Sequence, residues 1–334
     1  MQLKDYILKP RVSVIVPIYK VEGFIERCVR SLMEQTLDEV EYVFVDDASP
    51  DQSIAILQRT LADYPERANQ VCILTHEQNK GLPAARNTGL EVAQGEYIFH
   101  CDSDDYVERE MLAEMYEAAK QDDADYLWCD FFLSFEQNER YMKVRSYATA
   151  EKALNGVLDG AMKYNVWNKL VRRSLYTENA VRFPAGHSMG EDMTMIRLLA
   201  CAKRVAYIPK AYYHYVRLNM SALTQTFSER HLVDIRYNVD ETVAFLRARF
   251  GAAMEAPIAR FQLSVKLPFI ISDKRSDYRR WTEWYPESNR YIWSAATLPW
   301  RTKMLQWLAA KQQFWAVWLY YKVVYKFIYG IIYR

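Results

Sequence analysis

The sequence predicts an α/β fold: a mostly parallel sheet with helices on both faces, followed by a helical region. Three observations predict it. Short β-branched runs alternate with helical periodicity through the first hundred residues. Those runs are largely apolar without alternation, as in strands covered on both faces. Polar residues cluster just after the runs, at the carboxyl ends where open α/β sheets bind ligands.

Val12-Ser13-Val14-Ile15-Val16-Pro17 reads as the first strand. Phe24, Cys28 and Leu32 recur at helical spacing behind it. Tyr42 to Val45 is the second strand, and Ile54, Leu57 and Leu61 mark the next helix. Val71 to Leu74 is the third strand, followed by a helix through Leu82, Ala85, Gly89 and Val92. Tyr97 to Cys101 is the fourth strand. Asp46 and Asp47 follow the second strand, His76 the third, and Asp102, Asp104 and Asp105 the fourth. Beyond Glu108 the pattern loosens. It predicts a helix from Glu108 to Lys120, a strand near Tyr126 to Phe132 and a helix from Glu191 to Ala202. Two short strands follow, Val205 to Ile208 and Ala211 to Tyr215, then a helix from Ser228 to Phe250.

Composition bounds the function. The 334 residues are 51% hydrophobic and 25% charged, enough to bury a core and too ordered a mix for a disordered chain. The net charge of +1 gives no general attraction to nucleic acid. Five scattered cysteines, with no Cys-x-x-Cys pair, argue for buried thiols rather than disulfides or zinc. Met1 to Pro10 lacks a signal-peptide core, and no apolar run reaches the length of a spanning helix. The charge is uneven: Ser288 to Arg334 holds seven cations and no acid, leaving the other 36 cations against all 42 acids.

Four clusters bear chemistry. In Asp102-Ser103-Asp104-Asp105, three carboxylates within four residues repel each other unless a hard divalent cation offsets them. The same residues also suit a solvated turn with a helix cap. Asp46-Asp47 at a strand end suits a nucleobase edge or ribose hydroxyls, or simply a turn. Asn79 to Gly89 turns a loop into a helix start flanked by Lys80 and Arg86, where anions are welcome, or is an ordinary junction. Gly190-Glu191-Asp192 opens an apolar helix; acids there complement the helix dipole, and Asp192 would stay ionised as a general base.

In order and spacing these elements resemble the family-two inverting glycosyltransferases of the GT-A fold. The resemblance runs from about Val12 to Ser221 and includes Val14 to Tyr19, Val45 to Ser49, Gly81 to Gly89, Asp102 to Asp105, Val166 to Leu170 and Gly190 to Asp192. It implies roles. Pro17 and Tyr19 would line the nucleobase pocket, Glu22 would approach the ribose and Asp47 would read the uracil edge. Arg86 would lie near Asp102 at the sugar and diphosphate, with Ser103 alongside. Asp104 would hold Mn2+ or Mg2+, and His214, in the late segment Tyr213 to Arg217, would complete the metal shell or sit in an aromatic strand. Lys169 would approach the diphosphate or acceptor. Asp192 would be the catalytic base, with Glu191 beside it. Lys20 and Ala48 depart from the common Asn and Gly.

The reading is a catalytic region over 1–225, nucleotide-sugar side about 10–106 and acceptor side about 107–225, with a helical region over 226–334. The implied partners are a UDP-linked or similar sugar donor and a glycan or lipid-linked acceptor, in surface polysaccharide synthesis. The aromatic, lysine-bearing tail from Phe314 predicts a helix in a bilayer interface, on the cytoplasmic membrane face, or a helix packed on protein. A sugar-phosphate nucleotidyltransferase would want a glycine-rich loop where Pro17 to Lys20 stands. A non-catalytic glycan-binding protein on the same fold would bind donor without turnover.

Overall fold

The computed structural model describes residues 9–188, 190–217, 229–294 and 298–328, apart from the side chains of Asp192, Tyr325, Phe327 and Ile328. The chain divides into two compact units, residues 1–153 with 164–241, and residues 154–163 with 242–334.

The first unit is built on a mixed sheet. In chain order its strands and helices are β1 (Val12–Ile18), α1 (Ile25–Met33), β2 (Val40–Asp46), α2 (Ser53–Leu61), β3 (Val71–Thr75), α3 (Leu82–Val92) and β4 (Tyr97–His100). Then follow β5 (Tyr106–Val107), α4 (Met111–Gln121), β6 (Tyr126–Ser134), β7 (Glu139–Met142), α5 (Ala150–Leu158), whose residues from 154 on belong to the second unit, β8 (Lys169–Arg172), α6 (Arg173–Glu178), α7 (Glu191–Cys201) and β9 (Val205–Val216). The order across the sheet is β3-β2-β1-β4-β8-β6-β9-β5, with β7 on β6. All seven residues of β1 are buried, which is why its apolar run does not alternate. Each Val or Ile so buried contributes roughly 1.5–3 kcal/mol.

The parallel expectation holds for β1 to β4 and for the β6–β9 pair. It does not hold at β8, which enters between β4 and β6 antiparallel to both. With two apolar residues between Lys169 and Arg172, so short a strand carries no sign of its direction in the sequence. The two short strands expected after Val205 are one strand of 12 residues, with a register shift opposite Asp130. The helix expected from Glu108 begins at Met111, because the Glu108 amide bonds the Tyr212 carbonyl at 2.7 Å and extends the strand pairing.

The second unit is helical. It takes the end of α8 (Glu229–Phe250), α9 (Glu255–Lys266), α10 (Arg275–Glu283), α11 (Trp300–Ala310) and α12 (Phe314–Tyr320), with the segment 154–163. Leu246, Ile258, Phe261, Leu263, Ile270, Trp281, Ile292 and Leu305 form its core. Arg260 and Asp159, 2.5 Å apart, tie the short segment to α9.

Candidate active site

Three parallel strands end side by side, β2, β1 and β4, and their following loops build the site. After β1, Lys20 takes a left-handed backbone (φ 56°) and its amide donates to Ser49 Oγ at 2.8 Å. After β2, Ala48 does the same (φ 55°). These are the two positions where Asn and Gly were expected. Both residues tolerate that conformation better than Lys or Ala. Tyr19 is exposed beside them, and Pro17 is buried in β1. The Glu22 carboxylate accepts the Gln52 amide at 2.9 Å, just before α2.

Asp47 is buried and fully engaged by the chain. Its Oδ1 accepts His76 Nδ1 at 2.7 Å and the Lys80 amide at 2.8 Å. Its Oδ2 accepts Asn79 Nδ2 at 2.9 Å and the Gly81 amide at 2.8 Å. A carboxylate has about four lone-pair sites, and here each has a donor. Gly81 turns the chain into α3 at φ 88°. His76 Nε2 in turn meets Thr88 Oγ1 at 2.9 Å, fastening that helix to the loop. His76 stands out in the sequence only by following a strand; its partners lie 12 and 29 residues away.

The acidic loop after β4 is different. Arg86, fully buried on α3, donates to Asp102 Oδ1 at 2.7 Å and to Glu191 Oε1 at 2.5 Å. One guanidinium thus joins α3, the acidic loop and the start of α7. Gly190 lets α7 start there, since a Cβ would meet Pro184 Cγ at 2.0 Å. Asp192 follows Glu191 in the same first turn; its side chain lies outside the described residues. Desolvation, with repulsion from Glu191 and Asp104 against the pull of Arg86, pushes the Asp102 carboxyl up to about 7. Burial, then Asp104 and Asp102, raise Asp105 as well. Asp105 answers by accepting Tyr213 Oη and the Val216 amide, both at 2.7 Å, which ties the loop to β9. Ser103 is buried between them and Asp104 half-buried.

Asp102 and Asp104 are of the oxygen-donor type that a hard divalent cation takes, and Arg86 already draws Asp102 toward ionisation. Among the described residues no three His, Cys, Asp or Glu side chains converge as a complete ligand set. Mg2+ commonly takes one or two carboxylates and draws its other ligands from phosphate and water.

Lys169 is buried at the start of β8. Phe99 pairs with Leu170, so antiparallel pairing sets Lys169 beside the carboxyl end of β4. Its ammonium donates to Asn168 Oδ1, and burial pushes its pKa down to about 7. His214 lies with Nδ1 2.7 Å from Glu139 and Nε2 2.8 Å from Glu108. Its ring is stacked between Tyr106 and Phe132, at 4.1 and 4.8 Å. Both ring nitrogens therefore face carboxylates. Sequence alone assigned no site role to Glu108 or Glu139, which meet His214 only through the β5–β9 and β6–β7 pairings.

Residues 13–193 match the family described as Glycosyl transferase family 2. The chain belongs to that family. Among curated proteins it is similar to the putative glycosyltransferase EpsH of Bacillus subtilis, 31% identical over 66% of this chain and 64% of that one. It is also similar to the uncharacterized glycosyltransferase EpsJ of the same organism, 33% identical over 65% of this chain and 63% of that one. The chain thus spans a little under two thirds of the length of these relatives. Among solved structures it resembles S. aureus TarS 1–349 in complex with UDP-GlcNAc, with a TM-score of 0.71 at 21% identity over 93% of this chain and 91% of that one. It also resembles the mannosyltransferase PcManGT of Pyrobaculum calidifontis, in complex with GDP-Man and Mn2+, with a TM-score of 0.52 at 16% identity over 94% and 88%. The family-2 chain has a GT-A fold, with a distinct helical C-terminal unit.

Proposed function

We propose that this family-2 chain transfers a sugar from a nucleotide-sugar donor, a UDP-sugar first, to a hydroxyl of a glycan or lipid-linked acceptor, with inversion. The observation that carries the reading is the Arg86 bridge. It holds Asp102, at the strand end, and Glu191, at the helix start, to one group, so a donor at the acidic loop lies close to the first turn of α7. The relatives named glycosyltransferases and the fold shared with a UDP-GlcNAc complex support it.

In this mechanism Pro17, Tyr19 and Glu22 border the nucleoside. Asp47 shapes the loop around it, and meeting a uracil edge directly would require one of its four donors to leave. Asp102 and Ser103 face the donor sugar. Asp104 would hold Mn2+ or Mg2+, which when bound would offset charge on the departing diphosphate. For His214 to join that shell, Glu108 or Glu139 would have to release it. Lys169 stands by the diphosphate or acceptor. Asp192, at a helix N-terminus that favours its ionised form, takes the acceptor proton. The freed oxygen attacks the anomeric carbon opposite the nucleotide. Surface polysaccharide synthesis on the cytoplasmic face of the membrane, with peripheral attachment, completes the reading.

The test is nucleotide release and transfer from a panel of UDP-sugars, with and without chelator. Transfer that is lost in Asp192→Asn by about 10²–10⁴-fold supports the assignment. An Asp192→Asn protein that turns over normally removes Asp192 from the mechanism.

A further inference from the structure

The second unit shows an arrangement that packing among the described residues does not explain. Helix α12 has two apolar sides. On the inner side, Val317 is fully buried and Phe314 stacks on Tyr278 of α10 at 5.7 Å. That side attaches the helix to its bundle. On the other side Trp315, Trp318 and Leu319 follow each other at i, i+3 and i+4, and all three are exposed, Trp315 by 70%. Val323 continues the exposed side into the next turn, and Lys322 sets its ammonium 5.5 Å from the Trp318 ring. Elsewhere in the unit Trp300 is 67% exposed, and Trp293 and Trp307 are exposed too. Water is a poor partner for so many indoles.

The charge around them narrows what covers this surface. From Ser288 to Arg334 there are seven cations and no acid. A second copy docked on the same side would bring cations against cations, which costs affinity. An anionic surface would gain from each. Trp favours the boundary between water and acyl chains, and lysines beside it reach back to headgroups. None of the described helices is long and apolar enough to cross a membrane. What remains is a helix lying in the interface plane.

We propose that the Trp315–Trp318–Leu319–Val323 side of α12 is the membrane-docking surface of this chain, and that its partner is a bilayer containing anionic lipid. The inference rests on the peripheral attachment proposed above and names the residues that carry it. Trp315 and Trp318 insert at the acyl boundary, and Lys322 and Lys326 meet headgroup phosphates.

The full chain is floated with vesicles of phosphatidylcholine alone and of an equal mixture with phosphatidylglycerol. Transfer from a UDP-sugar to a soluble acceptor is measured on the same samples. The expected result is binding to the mixed vesicles only, with a blue shift of tryptophan emission. Trp315→Ser with Trp318→Ser should lower vesicle affinity at least tenfold, without lowering the melting temperature, since both side chains are exposed. Lys322→Gln and Lys326→Gln should each lower it about fivefold. If the native chain binds the mixed vesicles and the double tryptophan variant binds equally well, the docking side is wrong while peripheral attachment stands. If the native chain binds neither vesicle but transfers sugar, both membrane statements fall and the glycosyltransferase reading stands. Equal binding to both vesicles overturns the anionic requirement. A dimer without lipid that the tryptophan variant abolishes makes a second copy the occupant and overturns the proposal.

Discussion

Asp47 and Asp102 stand after two strands that flank β1 on either side, and they have opposite surroundings. Asp47 accepts four hydrogen bonds from three residues of one loop and from His76. Asp102 has a bond from Arg86, and Asp104 and Glu191 push against its charge. The first carboxylate is satisfied by the fold. The second is left in excess negative charge, which the fold alone does not neutralise. A strand end can thus hold a brace or a binding group, and the donors around it decide which.

Of the changes that bear on this contrast, Asp102→Asn should have the largest effect. Transfer should fall by about 10²–10³-fold, as when one preorganised electrostatic group is lost from a site. Without metal or donor the variant should melt higher than the native protein at pH 8. The sign follows from the raised carboxyl: between its unfolded value near 4 and about 7 the folded state holds more protons, so native stability falls as pH rises through that window. A variant that melts lower at pH 8 would mean that Asp102 braces the fold as Asp47 does.

Asp47→Asn should do the reverse. Two buried donors would face an amide N–H₂ in place of an oxygen, at about 2–4 kcal/mol of stability, read from a denaturant midpoint. Unchanged stability with lost donor affinity would make Asp47 a binding group and end the contrast. Lys169 gives a smaller handle. With its folded pKa near 7 and its unfolded value near 10.4, the unfolded state holds more protons between them, so stability rises with pH across that window by at most about 1.4 kcal/mol per unit. Lys169→Met should remove its share of the rise and keep that of Lys266, a buried lysine of the second unit also lowered to about 7. Parallel stability curves for native and variant proteins would count against it. The smallest effect is Ala48→Gly, which relieves a left-handed backbone and should raise stability by about 1 kcal/mol, seen as a modest rise in melting temperature.

The two departures show how far local sequence reaches. Lys20 and Ala48 depart from the common Asn and Gly, and both occupy the positive-φ positions of two adjacent loops. The first four strands, their helices and the acidic loop were legible because each is coded by neighbours in the chain: apolar runs, 3.6-residue spacing and glycine at turns. Asp105 was legible only as one carboxylate of that loop, because its partners on β9 lie more than 100 residues away.

By itself the sequence determined the parallel half of the sheet, the acidic loops at its strand ends and the family, since these follow from period, burial and motif order. It also determined the acid-free, aromatic tail. Only the tertiary structure decided that β8 runs antiparallel and delivers Lys169 to the end of β4. It alone showed that Arg86 clamps Asp102 to Glu191, that His214 is held between two glutamates, and that Asp47 is saturated while Asp102 is not. These are pairings across long stretches of chain. A residue's type states which bonds it can make, and the packing of distant elements settles which ones it does.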